Sequence, residues 1–271
     1  MTLLLLLALA SSLAPDAFAA SGPAASSVPV KTSRGEFNLL VYPPSAPAPS
    51  ATAPAADADK PLVFLASGEG GWRRFDVMIA GFLTDAGYWV GGMDAMKYFW
   101  EAQDDRQALA ADIRAYADAL AAAAGRSSGA PLLFAGFSFG ADLAPWVAGA
   151  GGWGDRLRGM ILIGPDETGS LEFRILEIMG FSPKDHIFSV AEALRSSAGV
   201  PVLFLHGEKD SSSAAPALVG GAGEPKKIAV VPGADHHYSG KEEGLRRALI
   251  EGIEWIRSQR RPAPADVKKD P

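Results

Sequence analysis

Chemistry in this 271-residue chain centres on Gly136-Phe137-Ser138-Phe139-Gly140. An apolar run, Leu132 to Phe137, precedes the serine, and a helix-compatible run, Phe139 to Ala148, follows it. A G-x-S-x-G pentapeptide in that setting is a sharp strand-to-helix turn. The glycines let strand and helix approach where a Cβ would clash. The serine hydroxyl is pushed outward at a helix N-terminus, where peptide dipoles favour developing negative charge. A serine hydroxyl is a weak nucleophile near neutral pH. It needs an imidazole to take its proton and a carboxylate to orient the imidazole. Together these groups would transfer an acyl group from an ester to water.

The partners are sought downstream, in the order serine, acid, histidine. Of four histidines, His206 closes an apolar strand and His186 falls in a connecting loop. His236 and His237 lie in Pro232-Gly233-Ala234-Asp235-His236-His237-Tyr238, between the last strand and the last helix, where a base belongs. The spacing from Gly233 favours His236, leaving His237 to bind substrate or to pack. The acid should follow the strand Val202–Leu205, which selects Asp210, with Glu208 and Asp166 as alternatives. The oxyanion needs two backbone N–H groups. Phe139, directly after the nucleophile, supplies one. Glu69, in the turn Ser67-Gly68-Glu69-Gly70-Gly71, supplies the other. These glycines do not read as a phosphate cradle, because no Gly-Lys-Ser/Thr follows them.

Strands alternating with helices must position these residues. Strands are expected at Glu36–Tyr42, Leu62–Ala66, Tyr88–Gly91, Leu132–Phe137, Met160–Ile163, Val202–Leu205 and Ile228–Val231. Helices are expected at Phe75–Ala86, Asp104–Ala124, Phe139–Ala148 and Lys241–Ile256. Leu109, Ile113, Tyr116 and Leu120 share one helix face, as do Leu245, Leu249, Ile253 and Ile256. Several strands are apolar throughout, the pattern of strands covered on both faces. The fold class is therefore α/β: one open, mostly parallel central sheet with helices on both faces. The alternation of Leu171, Phe173 and Ile175 with Glu172 and Arg174 suggests a strand or hairpin excursion near the top of the sheet. Glu167 to Ser189 is the only room for a cap.

Composition bounds the rest. A 48% hydrophobic content excludes wholesale disorder. No apolar run reaches the roughly 20 residues of a membrane span. Net charge of −6 argues against a nucleic-acid partner. The absence of cysteine excludes thiolate zinc, iron–sulfur clusters and a cysteine nucleophile, and neither metal nor cofactor is expected. Leu3–Leu7, followed by Ala17-Phe18-Ala19, reads as a signal peptide over 1–19, so the expected compartment is the periplasm. One domain should cover 20–260. Within it, Pro43–Pro61, with six prolines and seven alanines, is expected to be a flexible loop, and 261–271 a loose tail.

Four segments taken together resemble the VirJ/AcvB family of bacterial virulence proteins. They are Ser67-Gly68-Glu69-Gly70-Gly71-Trp72, Met96-Lys97-Tyr98-Phe99-Trp100, Gly136 to Asp142 with Pro145, and His236-His237-Tyr238. The resemblance runs from about Leu62 to the last helix. Glu69 departs from it, standing where the family usually has Asp, and the acid-bearing loop is shorter than the family's. The resemblance implies an α/β-hydrolase fold and a periplasmic location. In the AcvB branch it implies hydrolysis of the aminoacyl ester of lysyl-phosphatidylglycerol. In the VirJ branch it implies a link to type IV secretion, and hence secretion-system proteins as partners. For an aminoacyl phospholipid, Glu69 and Asp142 would receive ammonium groups, and Arg73, Arg74 and Lys97 would face the phosphate. Trp72, Phe99 and Trp100 would either line the rim or pack in the core. Two further readings stand beside this one: a non-catalytic periplasmic factor assisting secretion, and a general carboxylesterase.

Overall fold

A computed structural model describes residues 25–45, 60–173 and 185–259. The expected leader over 1–19 and tail over 261–271 lie outside the described residues. So do positions 46–59 of the Pro/Ala stretch and 174–184 of the expected cap.

Eight strands form one sheet in the order β1-β2-β4-β3-β5-β6-β9-β10. β1 (Ser26–Thr32) and β2 (Gly35–Tyr42) make an antiparallel hairpin, and β2 runs antiparallel to β4 (Val90–Met93). From β4 onward all pairings are parallel: β3 (Leu62–Ala66), β5 (Leu132–Phe137), β6 (Leu157–Ile163), β9 (Val202–Gly207) and β10 (Lys226–Val231). The strands feed helices α1 (Arg74–Asp85), α2 (Ala95–Tyr98), α3 (Arg106–Ala123), α4 (Phe139–Ala148), α5 (Val190–Ser196), α6 (Ala215–Gly221) and α7 (Glu242–Ser258).

The uniformly apolar strands do what their composition requires. Along β3, Val63 and Leu65 point into one apolar layer with Ile79 and Leu83 of α1 and Leu245, Leu249, Ile253 and Ile256 of α7. Leu62, Phe64 and Ala66 point into the other, with Leu109 and Ile113 of α3 and Leu143 and Val147 of α4. A strand alternates its faces residue by residue, so burying both demands apolar residues at every position. The sheet is therefore the middle layer of three.

The structure adds the short helices α2, α5 and α6 to the four expected from the sequence, and it differs in the strands as well. β1 was not anticipated. It carries Pro29 and Lys31, and of its residues only Val30 is buried. Such a strand is tolerated at a sheet edge, where one side needs no ladder. β4 begins at Val90, not Tyr88, and includes Gly91 and Gly92. Those glycines are in a strand because neighbours occupy their side-chain space. A Cβ on Gly92 would lie 2.3 Å from the Trp72 ring, and one on Gly91 would lie 3.0 Å from Leu39 and Leu120. The excursion after β6 is a two-stranded ribbon, β7 (Thr168–Ser170) with β8 (Ile187–Ser189). Leu171 and Phe173 follow β7 as buried packing residues outside the strand.

The β1–β2 turn is tied down at the same end of the sheet as the expected site. Asp112 of α3 accepts from the Ser33 amide at 2.7 Å, the Ser33 hydroxyl at 2.6 Å and the Tyr98 hydroxyl at 2.5 Å. Arg34 donates to the carbonyls of Tyr98 and Glu101.

Candidate active site

Ser138 sits between β5 and α4 at φ 53°, ψ −122°, a left-handed conformation costly for a residue with a Cβ. Three backbone bonds hold it there. Its amide donates to the Ile163 carbonyl at 2.8 Å, and its carbonyl accepts from the amides of Ala141 at 2.8 Å and Asp142 at 3.2 Å. The flanking glycines are sterically required. A Cβ on Gly136 would come within 2.0 Å of the Gly140 backbone, and one on Gly140 within 2.2 Å of the Ala66 carbonyl oxygen. Phe137 and Phe139 are buried, while Ser138 between them is partly exposed. The sharp turn thus presents the one polar side chain of the three.

The β3–α1 turn passes beside the serine. A Cβ placed on Gly68 would touch the Ser138 Cβ at 3.4 Å. The Gly71 amide closes this turn onto the Gly68 carbonyl at 3.0 Å, and the Ser67 hydroxyl accepts from the Ala95 amide at 3.0 Å. Phe139 opens α4, so its N–H has no partner within the helix. The Glu69 N–H follows directly on Gly68, in a turn whose side chain is exposed.

Asp210 and His236 come together at the ends of β9 and β10. His236 Nδ1 lies 2.8 Å from Asp210 Oδ2. The imidazole is one-quarter exposed and the carboxylate almost fully buried, at 1% side-chain exposure. Because a carboxylate only accepts, this bond places the ring proton on Nδ1 and leaves Nε2 with a lone pair. The ring packs on Phe137, the residue before the serine, with centroids 4.9 Å apart. Gly164, at φ 60°, backs both partners: a Cβ there would lie 3.0 Å from His236 Cε1 and 3.3 Å from Asp210 Oδ2. Burial pushes the Asp210 carboxyl up, but hydrogen bonds from Ser212 and His236 and the nearby imidazole outweigh it and hold the group below the ordinary range.

The alternatives go elsewhere. Glu208 Oε2 accepts from the Gly233 amide at 2.7 Å and ties the two loops together. Asp166 accepts from the Glu167 amide at 2.6 Å. His237 is exposed, edge-on to Phe75 at 5.9 Å and 5.4 Å from the His236 ring. Asp142 requires correction as a substrate contact. It is 3% exposed, and its Oδ1 accepts from the Asp166 amide at 2.8 Å. Burial raises its carboxyl well above the ordinary range, and the charges of Asp166 and Glu69 add to that against the Asp166 hydrogen bond. The sequence assigns this first-turn carboxylate of α4 to an ammonium group of the substrate; instead it holds the loop after β6. Glu69, although exposed at its surface, is also raised, first by desolvation of its carboxyl and then by the charge of Asp166.

Two residues that the sequence reading passed over matter here. Gly164 has no motif to mark it. Ser212, two residues after the acid, carried a signal in its Asp-x-Ser spacing, a common turn in which the serine bonds back to the carboxylate.

A cavity of about 570 Å³ borders the Gly68–Gly71 turn at Gly70 and Gly71, with Arg73, Asp94, Met96, Lys97 and Trp100 among its walls. Trp100 is 49% exposed, whereas Phe99 is fully buried. Lys97 lies 3.3 Å from Asp94. Trp72 stacks near Tyr42 and donates to its hydroxyl at 2.9 Å, a packing role as much as a rim role.

Comparison with solved structures places this architecture among α/β hydrolases. Est1E from Butyrivibrio proteoclasticus is similar with a TM-score of 0.60 at 16% identity, over 86% of this chain and 99% of that one. A dienelactone hydrolase from Anabaena variabilis gives 0.60 at 14%, over 89% and 100%. An α/β serine hydrolase without lid from Xanthomonas campestris gives 0.55 at 19%, over 89% and 97%. At these identities the likeness establishes the fold. No curated protein matches the chain in sequence. A family model described as bacterial virulence protein (VirJ) matches residues 60–257.

Proposed function

Because the chain belongs to the VirJ family of bacterial virulence proteins, we propose that this α/β-hydrolase fold works as a serine hydrolase on a carboxylic ester. We further propose that the ester is the aminoacyl ester of lysyl-phosphatidylglycerol, met in the periplasm. The observation that carries the reading is the 2.8 Å Asp210–His236 bond, made against the residue preceding a strained, partly exposed serine.

The chemistry follows from the groups present. Ser138 Oγ attacks the ester carbonyl carbon as His236 Nε2 takes its proton. Asp210, fixed on Nδ1, stabilises the imidazolium that results. The carbonyl oxygen becomes an oxyanion, received by the N–H groups of Phe139 and Glu69. Collapse breaks the bond to the alcohol, which leaves with the proton from His236. Water then repeats the sequence on the acyl-serine and releases the acid.

The carboxyls around the serine support a cationic acyl group. Glu69 is raised by desolvation and then by the charge of Asp166, so an ammonium beside it would relieve that cost. Arg73 and Lys97, beyond the Gly68–Gly71 turn, suit an anionic portion of the alcohol. The test is hydrolysis of p-nitrophenyl acetate and of lysyl-phosphatidylglycerol by the purified chain and by Ser138→Ala. Release of lysine by the wild type alone supports the full reading. Cleavage of the small ester without the lipid leaves a general carboxylesterase. If Ser138→Ala equals wild type on both and also restores a deletion strain, a non-catalytic secretion factor replaces the enzyme.

A further inference from the structure

The geometry points to Ser212 as a positioning residue for the proposed reaction, its hydroxyl locking the acid and the base into one unit. This rests on the catalytic reading above and extends it by a residue outside the nucleophile, acid, base and oxyanion donors.

Ser212 Oγ lies 2.7 Å from Asp210 Oδ1 and 3.2 Å from His236 Nδ1. A serine hydroxyl has one proton and two lone pairs. The carboxylate oxygen can only accept, so the Ser212 proton goes to Oδ1. The Ser212 oxygen then faces the Nδ1–H, which it shares with Asp210 Oδ2 at 2.8 Å. The hydroxyl dipole is thereby oriented with its positive end on the acid and its negative end on the base. That orientation favours the carboxylate–imidazolium pair formed during catalysis over the neutral imidazole of the resting site.

The remaining contacts show why the hydroxyl has a distinct job. Oδ1 also receives the amides of Ser212 and Ser213, each at 3.1 Å, so the acid stays anchored when the hydroxyl is removed. What is lost is the second hydrogen-bond contact of the ring nitrogen. Phe137 and Gly164 cover the ring without offering it a hydrogen bond. Ser212 is therefore the second acceptor on the ring nitrogen, after Asp210 itself.

The test compares Ser212→Ala and Ser212→Thr with wild type on p-nitrophenyl acetate and follows the low-field Nδ1 proton of His236 by NMR. We expect Ser212→Ala to lower kcat roughly tenfold, the usual scale for one hydrogen bond to a charged group, with KM unchanged. The Nδ1 proton resonance should move upfield. Ser212→Thr, which keeps the hydroxyl, should restore both readouts to within about twofold. An unchanged kcat and resonance in Ser212→Ala would overturn the assignment, as would a loss that Ser212→Thr fails to restore or that appears in KM instead. Thermal melting of both variants separates misfolding from a local effect. The resonance needs no turnover, so it judges Ser212 even if Ser138→Ala shows that the catalytic reading itself is wrong.

Discussion

Replacing Gly140 by alanine adds a single methyl group to α4, yet it should disable the site. That methyl would lie 2.2 Å from the Ala66 carbonyl oxygen, 2.7 Å from its carbon and 2.9 Å from the Ser67 oxygen, where ordinary contact begins near 3.4 Å. All three atoms are backbone at the end of β3, and cores do not yield to such overlap without movement. The first turn of α4 must slide by roughly 1 Å, carrying Ser138 and the Phe139 amide with it. A displacement of that size costs about 100-fold in rate, near 2.7 kcal/mol of barrier. Overpacking should also remove about 1–3 kcal/mol of stability, lowering Tm by roughly 2–10 °C. The assay is kcat/KM on p-nitrophenyl acetate with labelling by a fluorophosphonate, read beside a melting curve. Gly220→Ala is the control, since a Cβ there meets nothing within 4 Å. Gly140→Ala with wild-type kcat/KM and wild-type Tm would refute the claim that close backbone approach fixes the nucleophile.

Two further outcomes concern stability. Asp112→Ala removes the acceptor of three hydrogen bonds, leaving the Ser33 and Tyr98 donors without it. It should cost roughly 3 kcal/mol or more in urea unfolding, and Asp112→Asn should cost less. Asp76 is buried, and burial raises its carboxyl from 3.8 to about 6, against the hydrogen bond from the Arg73 amide. Its folded value is above its unfolded one, so its contribution is complete below about pH 4 and is lost as pH rises through 6. Asp76→Asn should therefore be more stable than wild type at pH 7.5, by roughly 3 kcal/mol. The advantage should vanish at pH 4, which paired urea curves at the two pH values will show.

The legible part of this protein was the part governed by local pattern. Leu109, Ile113, Tyr116 and Leu120 announce α3 because a helix repeats its buried face every three to four residues, and all four are buried. Strand, glycine turn and helix placed Ser138 for the same reason. What the sequence left open depends on direction and on distant contacts. His236 and His237 are adjacent, with rings 5.4 Å apart and both near Phe137, so only the position of Asp210 distinguishes them. Asp142 has the type and place of a surface carboxylate, yet the loop after β6 folds over it. Gly92 falls just past the strand expected to end at Gly91, yet it continues β4, and it is glycine because the Trp72 ring fills the space a side chain would take. Pro29 disguised β1, since its compatibility with a ladder depends on its lying at an edge.

Ser138, Asp210 and His236 belong to three strand ends spread across the chain, and β10, which leads to the last of them, closes the far edge of the sheet. No fragment that stops before the turn after β10 contains all three, so a polypeptide released short of His236 lacks the base. Recovery of turnover after denaturation then times the pairing of β10 with β9, the event that carries His236 to Asp210.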